Sequence, residues 1–310
     1  MECDGCIHPC VLSEKDRVGA KPFVKWAGGK GQILNELLPR IDIRFQNYLE
    51  PFVGGGALFF ALFESGTIPS YSNRGSGLCG TGVIDPKTYI PPTIAINDKN
   101  EELANAYKVI QSNVLDLIAS LEKHVVTKEH FYEIRAQDPM RLSEVERASR
   151  FIFLNKTCYN GLWRVNKKGQ FNVPYGRYKN PKIFDETNLL AVSCALRGVS
   201  ILCEDFQEMA MSAQPGDFVY FDPPYHPLSE SSSFTSYVDS GFDRKDHERL
   251  AHVVRDLTAA GVFCMVSNSD TEFTRRLYAG LRVEHVEARR SINSKKDGRG
   301  CVPELIVRNW

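Results

Sequence analysis

Asp222 stands between a run of apolar residues and two prolines in YFDPPYHPLS, residues 220–229. The preceding GDFV reads as a turn leading into a buried strand. The carboxylate then falls at the strand's carboxyl end, where open α/β sheets bind ligands. A proline has no N–H, so the backbone at Pro223 and Pro224 offers only carbonyl acceptors. Together the Asp222 carboxylate and the Pro223 carbonyl can hold an exocyclic amino group by both hydrogens, with the Tyr225 ring stacked on the attached heterocycle. Such a conjugated nitrogen is a poor nucleophile. Two acceptors draw it toward tetrahedral geometry and turn its lone pair to an electrophile. Taken alone, D-P-P-Y reads equally well as a plain turn after a strand.

A second stretch, NYLEPFVGGGALFFALFESG at residues 47–66, has the order strand, glycine turn, helix. Gly54, Gly55 and Gly56 make the turn, Ala57 to Ser65 suits a buried helix, and Gly66 suits the position just past its end. TIAIND, residues 93–98, is a short apolar strand closing on Asp98, an acid that can take the two hydroxyls of a ribose. The dinucleotide fingerprint is absent, since GGGALF lacks the third glycine. Asp98 lies about forty positions past the turn, twice the usual interval of about 20. The GGK at residues 28–30 lacks the earlier glycine that a phosphate-cradling P-loop requires. These residues favour a nucleoside ligand without a pyrophosphate and exclude a nicotinamide dehydrogenase.

The third stretch spans residues 147–184. It holds nine Lys or Arg, eight aromatics including Tyr159, Trp163, Phe171, Tyr175 and Tyr178, and no Asp or Glu. In a chain with 38 basic and 38 acidic residues this is the largest charge segregation. Cations neutralise phosphates, and aromatics stack on bases or wedge between them. An ordinary solvated face would mix the two signs.

The elements that must position these groups follow from periodicity. From Lys99 to about Ala136 apolar residues recur at helical spacing (Leu103, Ala106, Val109, Ile110, Val114, Leu117, Ile118, Leu121), and a second helix covers about residues 144–155. An irregular stretch runs to Phe184, after which strand and helix signals alternate to the end. The pattern predicts an α/β domain around a largely parallel sheet with a mainly helical module spliced in. Residues 281–290 and 304–310 read as a closing antiparallel hairpin. With 43% apolar residues among 310 the core is sizeable. No run of about 18 apolar residues is present to span a membrane, and the first residues lack the character of a secretory signal. The nine cysteines therefore read mainly as free thiols of a reducing compartment. Cys3, Cys6 and Cys10 with His8 are too loosely spaced for a zinc finger, and no metal site is expected.

Several of these stretches together resemble the Dam-type DNA adenine-N6 methyltransferases: FVKWAGGK (23–30), EPFVGGGALFF (50–60), YNGLWRVNKKGQFNVPYGRY (159–178), DPPY (222–225), FTSY (234–237), SNSDT (267–271) and RRSI (289–292). The resemblance runs in order from about residue 21 to 306. It implies a Rossmann-like seven-stranded sheet, S-adenosylmethionine as methyl donor, double-stranded DNA as partner, and a target adenine flipped into the pocket at Asp222. By the same resemblance Trp26, Gly28, Gly29 and Lys30 lie along the methionine part of the donor. Glu50, Phe52, Gly54 and Gly56 surround its nucleoside, Asp98 takes the ribose, and Asp205 lies near its adenine. Asp222, Pro223, Pro224 and Tyr225 hold the target base. Lys25 reaches the first guanine of GATC, Tyr159 wedges into the duplex with Asn160 beside it, and Leu162, Arg164, Pro174 and Tyr178 read base edges. Asn166, Asn172 and Arg177 contact phosphates. The implied organisation is a catalytic domain (residues 21–100 and 190–310) with a target-recognition domain (101–189), acting as a cytoplasmic monomer. A companion endonuclease is not legible in this chain.

The chain departs from the family in an N-terminal extension, residues 1–20, expected to be disordered, and in a Gly-, Ser- and Pro-rich insert at about 67–92. The insert reads as a passive loop, or as one that lies on DNA through Arg74 and Lys87. The SKKDGRG stretch (294–300) reads as a phosphate clamp or as a solvated hairpin tip. A methyltransferase of RNA or of cytosine N4, an adenine methyltransferase of another target sequence, and a catalytically silent DNA-binding module are the competing functions.

Overall fold

The computed structural model of the chain describes residues 19–68, 93–227, 242–289 and 301–310. The N-terminal cysteine cluster, most of the insert with Arg74 and Lys87, FTSY, nearly all of RRSI, and SKKDGRG lie outside the described residues.

Seven strands form one sheet in the order β3-β2-β1-β4-β5-β7-β6. They are β1 (Tyr48–Glu50), β2 (Ile94–Asn97), β3 (Ser200–Leu202), β4 (Phe218–Phe221), β5 (Phe263–Ser269), β6 (Arg282–Arg289) and β7 (Cys301–Arg308). The first five run parallel, and β7 enters antiparallel between β5 and β6. The central strands YLE, IAIN and FVYF are buried at every position, as expected where helices cover both faces. Their period of two sorts the side chains. Tyr48, Ile94, Ile96, Phe218 and Tyr220 enter one core, and Leu49, Ala95, Val219 and Phe221 enter the other.

The helices are α1 (Leu34–Leu37), α2 (Ala57–Glu64), α3 (Glu101–Leu121), α4 (Lys128–Ala136), α5 (Glu144–Thr157), α6 (Glu186–Ala195), α7 (Phe206–Ala210), α8 (Arg244–Ala259) and α9 (Glu272–Leu277). The first core is lined by α2, α3, α5 and α6, and the second by α7 and α8. The continuous helical pattern read from residue 99 to 136 is two helices. The Thr127 side chain accepts from the His130 N–H and starts α4 afresh, a cap that apolar spacing alone does not register. Ser143 and Glu146 form a reciprocal capping box that fixes the start of α5. Within α5, Ala148, Phe151 and Ile152 belong to the first core. Phe153 and Leu154 belong to a third, smaller one with Phe131, Ile134, Cys158, Phe171 and Val173. The helix α5 thus bridges the first and third cores, while the apolar side of α3 lies in the first.

One described cysteine departs from the thiol reading. Cys158, Cys203 and Cys264 are free, but Cys194 is disulfide-bonded. Pairing depends on which sulfurs the fold brings within bonding range, which a cysteine count does not reveal. Among the described residues no helix is long and apolar enough to cross a membrane.

Candidate active site and nucleic-acid interface

The crossover from β1 leads to β2 on one side, and that from β4 leads to β5 on the other. The crevice between the carboxyl ends of β1 and β4 is therefore the topological switch point of the sheet, where such folds bind ligands. Glu50 closes β1, and Asp222 follows β4 directly. The Lys30 ammonium lies 2.7 Å from Asp222 Oδ1, donates to the Gly28 carbonyl at 2.7 Å and sits 4.3 Å above the Tyr225 ring centre. A carboxylate, a carbonyl and an aromatic face thus surround one nitrogen, the same kinds of group that a conjugated amino group requires. Ser267 Oγ also donates to Asp222 Oδ1, at 2.8 Å. Among the described residues Oδ2 accepts no hydrogen bond, and the side chain is 17% exposed. Burial pushes the Asp222 pKa up, and Lys30 and Ser267 pull it back down.

The D-P-P-Y-H turn is stapled to the end of β5 by three consecutive residues. Ser267 reaches Asp222, Asn268 Oδ1 accepts from the His226 N–H at 3.1 Å, and Ser269 Oγ donates to the His226 carbonyl. From β7, Glu304 Oε2 accepts the Tyr225 hydroxyl at 2.8 Å. Pro223 is buried and Pro224 exposed.

On the β1 side Glu50 is 2% exposed. It accepts from the Tyr48 hydroxyl at 2.8 Å and from the Phe59 N–H in the first turn of α2. Burial, reinforced by the Asp222 charge, carries its pKa to about 8, so it is a neutral acid at pH 7. Gly54 and Gly56 have φ of 48° and 74°, a region costly for residues bearing a Cβ. A Cβ at Gly54 would lie 2.7 Å from Trp26 Cδ1, and one at Gly56 would lie 2.7 Å from the Tyr107 hydroxyl. Asp98 Oδ2 accepts the Gly54 N–H at 3.1 Å and Oδ1 the Asn100 N–H at 2.9 Å. Burial raises its pKa to about 6. Phe52 stacks on Phe206, 5.2 Å between ring centres, with Phe242 edge-on at 5.6 Å. Asp205 takes a fork from Arg249 at 2.6 and 3.0 Å and caps α7. The arginine holds its carboxyl below the ordinary range.

The third group lies on the segment after α5, with Lys25 packed beside it from the stretch before α1. Lys25, Tyr159, Leu162, Arg164, Asn166, Pro174 and Arg177 are exposed, while Asn160, Asn172 and Tyr178 are half-buried. Tyr159 keeps 47% of its surface open to solvent. The Lys25 ammonium rests 4.2 Å above the Tyr178 ring. Asn172 Oδ1 accepts from Arg164 Nε at 2.8 Å and so orients the guanidinium. Asn166 closes a tight turn, its Oδ1 accepting from the N–H groups of Lys168 and Gln170. Asn160 and Arg177 hold positive φ of 56° and 53°. The basic block divides in two. Arg147 pairs with Glu102 and Arg150 is buried on the carbonyls of Ile134 and Arg135, while Lys182, paired with Asp185, stays exposed. The outward cations are therefore fewer than the sequence count.

Sequence reasoning passed over Tyr107, Asn155, Ser267 and Glu304 as individual residues. Tyr107 donates to the Gly54 carbonyl at 3.0 Å. Asn155 is fully buried and clasps Lys25 at both its N–H and its carbonyl, at 2.8 and 2.7 Å, and the Gly161 carbonyl at 3.0 Å. A polar residue inside the apolar run FIFLN was the available signal for Asn155. Glu304 carried none.

Fold and site define an α/β protein with a half-buried carboxylate and an aromatic ring at the switch point of a mixed seven-stranded sheet. More narrowly, the chain belongs to the D12 class N6 adenine-specific DNA methyltransferase family, whose profile matches residues 26–71 and 78–292. It is 43% identical over 309 residues to the Type II methyltransferase M.MjaIII of Methanocaldococcus jannaschii, covering 94% of this chain and 99% of that one. It is 39% identical over 307 residues to the Type II methyltransferase M1.LlaDCHI of Lactococcus lactis subsp. cremoris, covering 96% and 99%. The DNA adenine methylase of Escherichia coli K12 is 30% identical over 296 residues, covering 93% and 94%. The protein is an adenine-specific DNA methyltransferase.

Proposed function

We propose that the protein methylates N6 of the adenine in GATC within duplex DNA, with S-adenosylmethionine as donor and the target base flipped out of the helix. The observation that carries the chemistry is Asp222, whose Oδ1 is engaged by Lys30 and Ser267 while Oδ2 accepts nothing among the described residues. That oxygen and the Pro223 carbonyl receive the two N6 hydrogens, and Tyr225 stacks on the base. The acceptors localise the nitrogen lone pair, and the Asp222 charge stabilises the cation that develops on N6 as the bond to carbon forms. Asp222 or water then takes the extra proton.

The residues fit the donor. Gly54 and Gly56 leave a backbone cradle that a Cβ would fill. Asp98 is fixed by two N–H groups with lone pairs left for ribose hydroxyls. Phe52, Phe206 and Phe242 supply an aromatic wall. When bound, S-adenosylmethionine would supply an electrophilic methyl group on a sulfonium, whose carbon–sulfur bond would break to leave a neutral thioether. The Arg249 fork leaves Asp205 with less capacity for the donor's adenine, so Asp205 acts there through Arg249 and the start of α7.

For GATC the support is the set Lys25, Asn160, Leu162, Arg164, Pro174 and Tyr178 retained in family order, with Tyr159 as wedge and Asn166, Asn172 and Arg177 toward phosphates. We read residues 101–189 as the recognition domain, anchored in the catalytic core by α3 and part of α5. The test is labelled-methyl transfer to duplexes with and without GATC, together with the resistance of DNA from expressing cells to a nuclease that cuts only unmethylated GATC. Full cutting with methyl incorporated elsewhere overturns GATC. No incorporation into any duplex overturns the activity of this chain.

A further inference from the structure

Among the described residues the Asp222 carboxylate accepts hydrogen bonds at one oxygen only. Lys30 and Ser267 both donate to Oδ1, at 2.7 and 2.8 Å. Lys30 also occupies the face of Tyr225, where the base must stack, so its ammonium has to leave as the amino group enters. Ser267 has no such conflict. It is fully buried on β5, behind the carboxylate. Its hydroxyl carries one proton, which goes to Asp222 at 2.8 Å rather than to the Phe221 carbonyl at 3.5 Å. The Tyr220 hydroxyl, 3.0 Å from Ser267 Oγ and also fully buried, must then be the donor to Ser267. This gives a fixed chain, Tyr220 to Ser267 to Asp222 Oδ1, supported by the strand pairing of β4 with β5.

We propose that Ser267 is a positioning residue for methyl transfer: held by Tyr220, it ties down Oδ1 of Asp222 and so fixes the orientation of the carboxylate that meets the amino group of the incoming base. The inference rests on the proposed role of Asp222 and deepens it. With Lys30 displaced, Ser267 is the donor left on that carboxylate among the described residues. The charged or titratable groups around Asp222 among the described residues are Lys30, Tyr48 and Glu50 of β1, Tyr220, Tyr225 and Glu304 of β7. Of these Lys30 alone is a cation, so none of them makes good the loss of the Ser267 bond.

The test uses the full chain with Ser267→Ala, Ser267→Thr and Tyr220→Phe. Single-turnover methylation of a GATC duplex is measured across pH, with donor and duplex affinities measured separately. Ser267→Ala is expected to slow transfer about 10-fold or more, the loss of a hydrogen bond to a charged group, with both affinities nearly unchanged. Its acid limb should move to higher pH, because an acid that loses a donor to its anion holds its proton longer. Tyr220→Phe should shift rate and limb the same way by less, and Ser267→Thr, which keeps the hydroxyl, should restore them. In parallel, the carboxyl carbon of Asp222 is titrated by NMR in wild type and Ser267→Ala. An upward shift supports the proposal even if no duplex is methylated, which separates it from failure of the GATC reading. An unchanged rate and acid limb, or an unchanged Asp222 titration, overturns it.

Discussion

Replacing Glu50 by glutamine isolates the cost of burying its charge. Glu50 is 2% exposed, and burial carries its pKa from 4.5 to about 8. Between those values the unfolded chain has released the proton and the folded chain still holds it. The raised value belongs to the folded state, so stability falls as pH climbs through this window and levels off above it. At about 1.4 kcal/mol per pKa unit, the full window corresponds to about 5 kcal/mol, a large share of the stability of a typical domain. Glutamine keeps the size of the protonated acid and its capacity to pair with Tyr48, but has no proton to lose. The assay is urea unfolding of both proteins side by side from about pH 5 to about pH 9. Titrating groups common to both drop out of the difference. The advantage of Glu50→Gln over wild type should grow by about 1.4 kcal/mol per pH unit up to about pH 8, then flatten. A difference that stays level across the range would refute burial of Glu50 as a neutral acid.

Three further outcomes follow from the site. Asp222→Ala should abolish methyl transfer and leave duplex binding largely intact in a gel-shift titration; wild-type turnover would remove Asp222 from the chemistry. Arg164→Ala should relax the choice of guanine, lowering the penalty for a mismatched pair by about 1–3 kcal/mol, and unchanged discrimination in competition assays would count against Arg164 as a reader. Asp98, raised to about 6, must be ionised to accept ribose hydroxyls. The donor's KM should therefore be flat above about pH 7 and climb as pH falls through about 6, a climb that Asp98→Asn should lack. A level wild-type KM over that range would show that the acid does not hold the donor.

Much of this was legible because it is local. Tyr48 to Gly66 announces strand, turn and helix within twenty positions, and its glycines mark positive φ where Gly54 and Gly56 have it. The strand-end acids Asp98 and Asp222 follow from apolar runs that stop at a carboxylate. The closing hairpin was visible too, although β7 starts at Cys301, earlier than the apolar run beginning near residue 304. What escaped depends on partners distant in sequence. Glu304 meets Tyr225 across 79 positions and Ser267 meets Asp222 across 45, and no period links them. Asp205 looked available as a donor contact because the Arg249 fork is invisible until α8 packs beside α7. The cations of residues 147–184 all counted alike, although Arg147 and Arg150 serve internal acceptors.

Residues 25–30 touch three parts of the molecule within six positions. The Lys25 backbone is clasped by Asn155, Trp26 lies against Gly54 and near Phe151, and Lys30 reaches Asp222. This has a consequence for building chimaeras that exchange sequence specificity between relatives. A graft cut at residues 101 and 189 would leave behind the stretch on which the turn after α5 is seated. The exchangeable unit is discontinuous, and a donor sequence for α5 and the following turn has to bring its own counterpart of residues 23–26 with it. The spacing from Lys25 to Lys30 has equally little tolerance for insertion, since one added residue would unseat one end or the other.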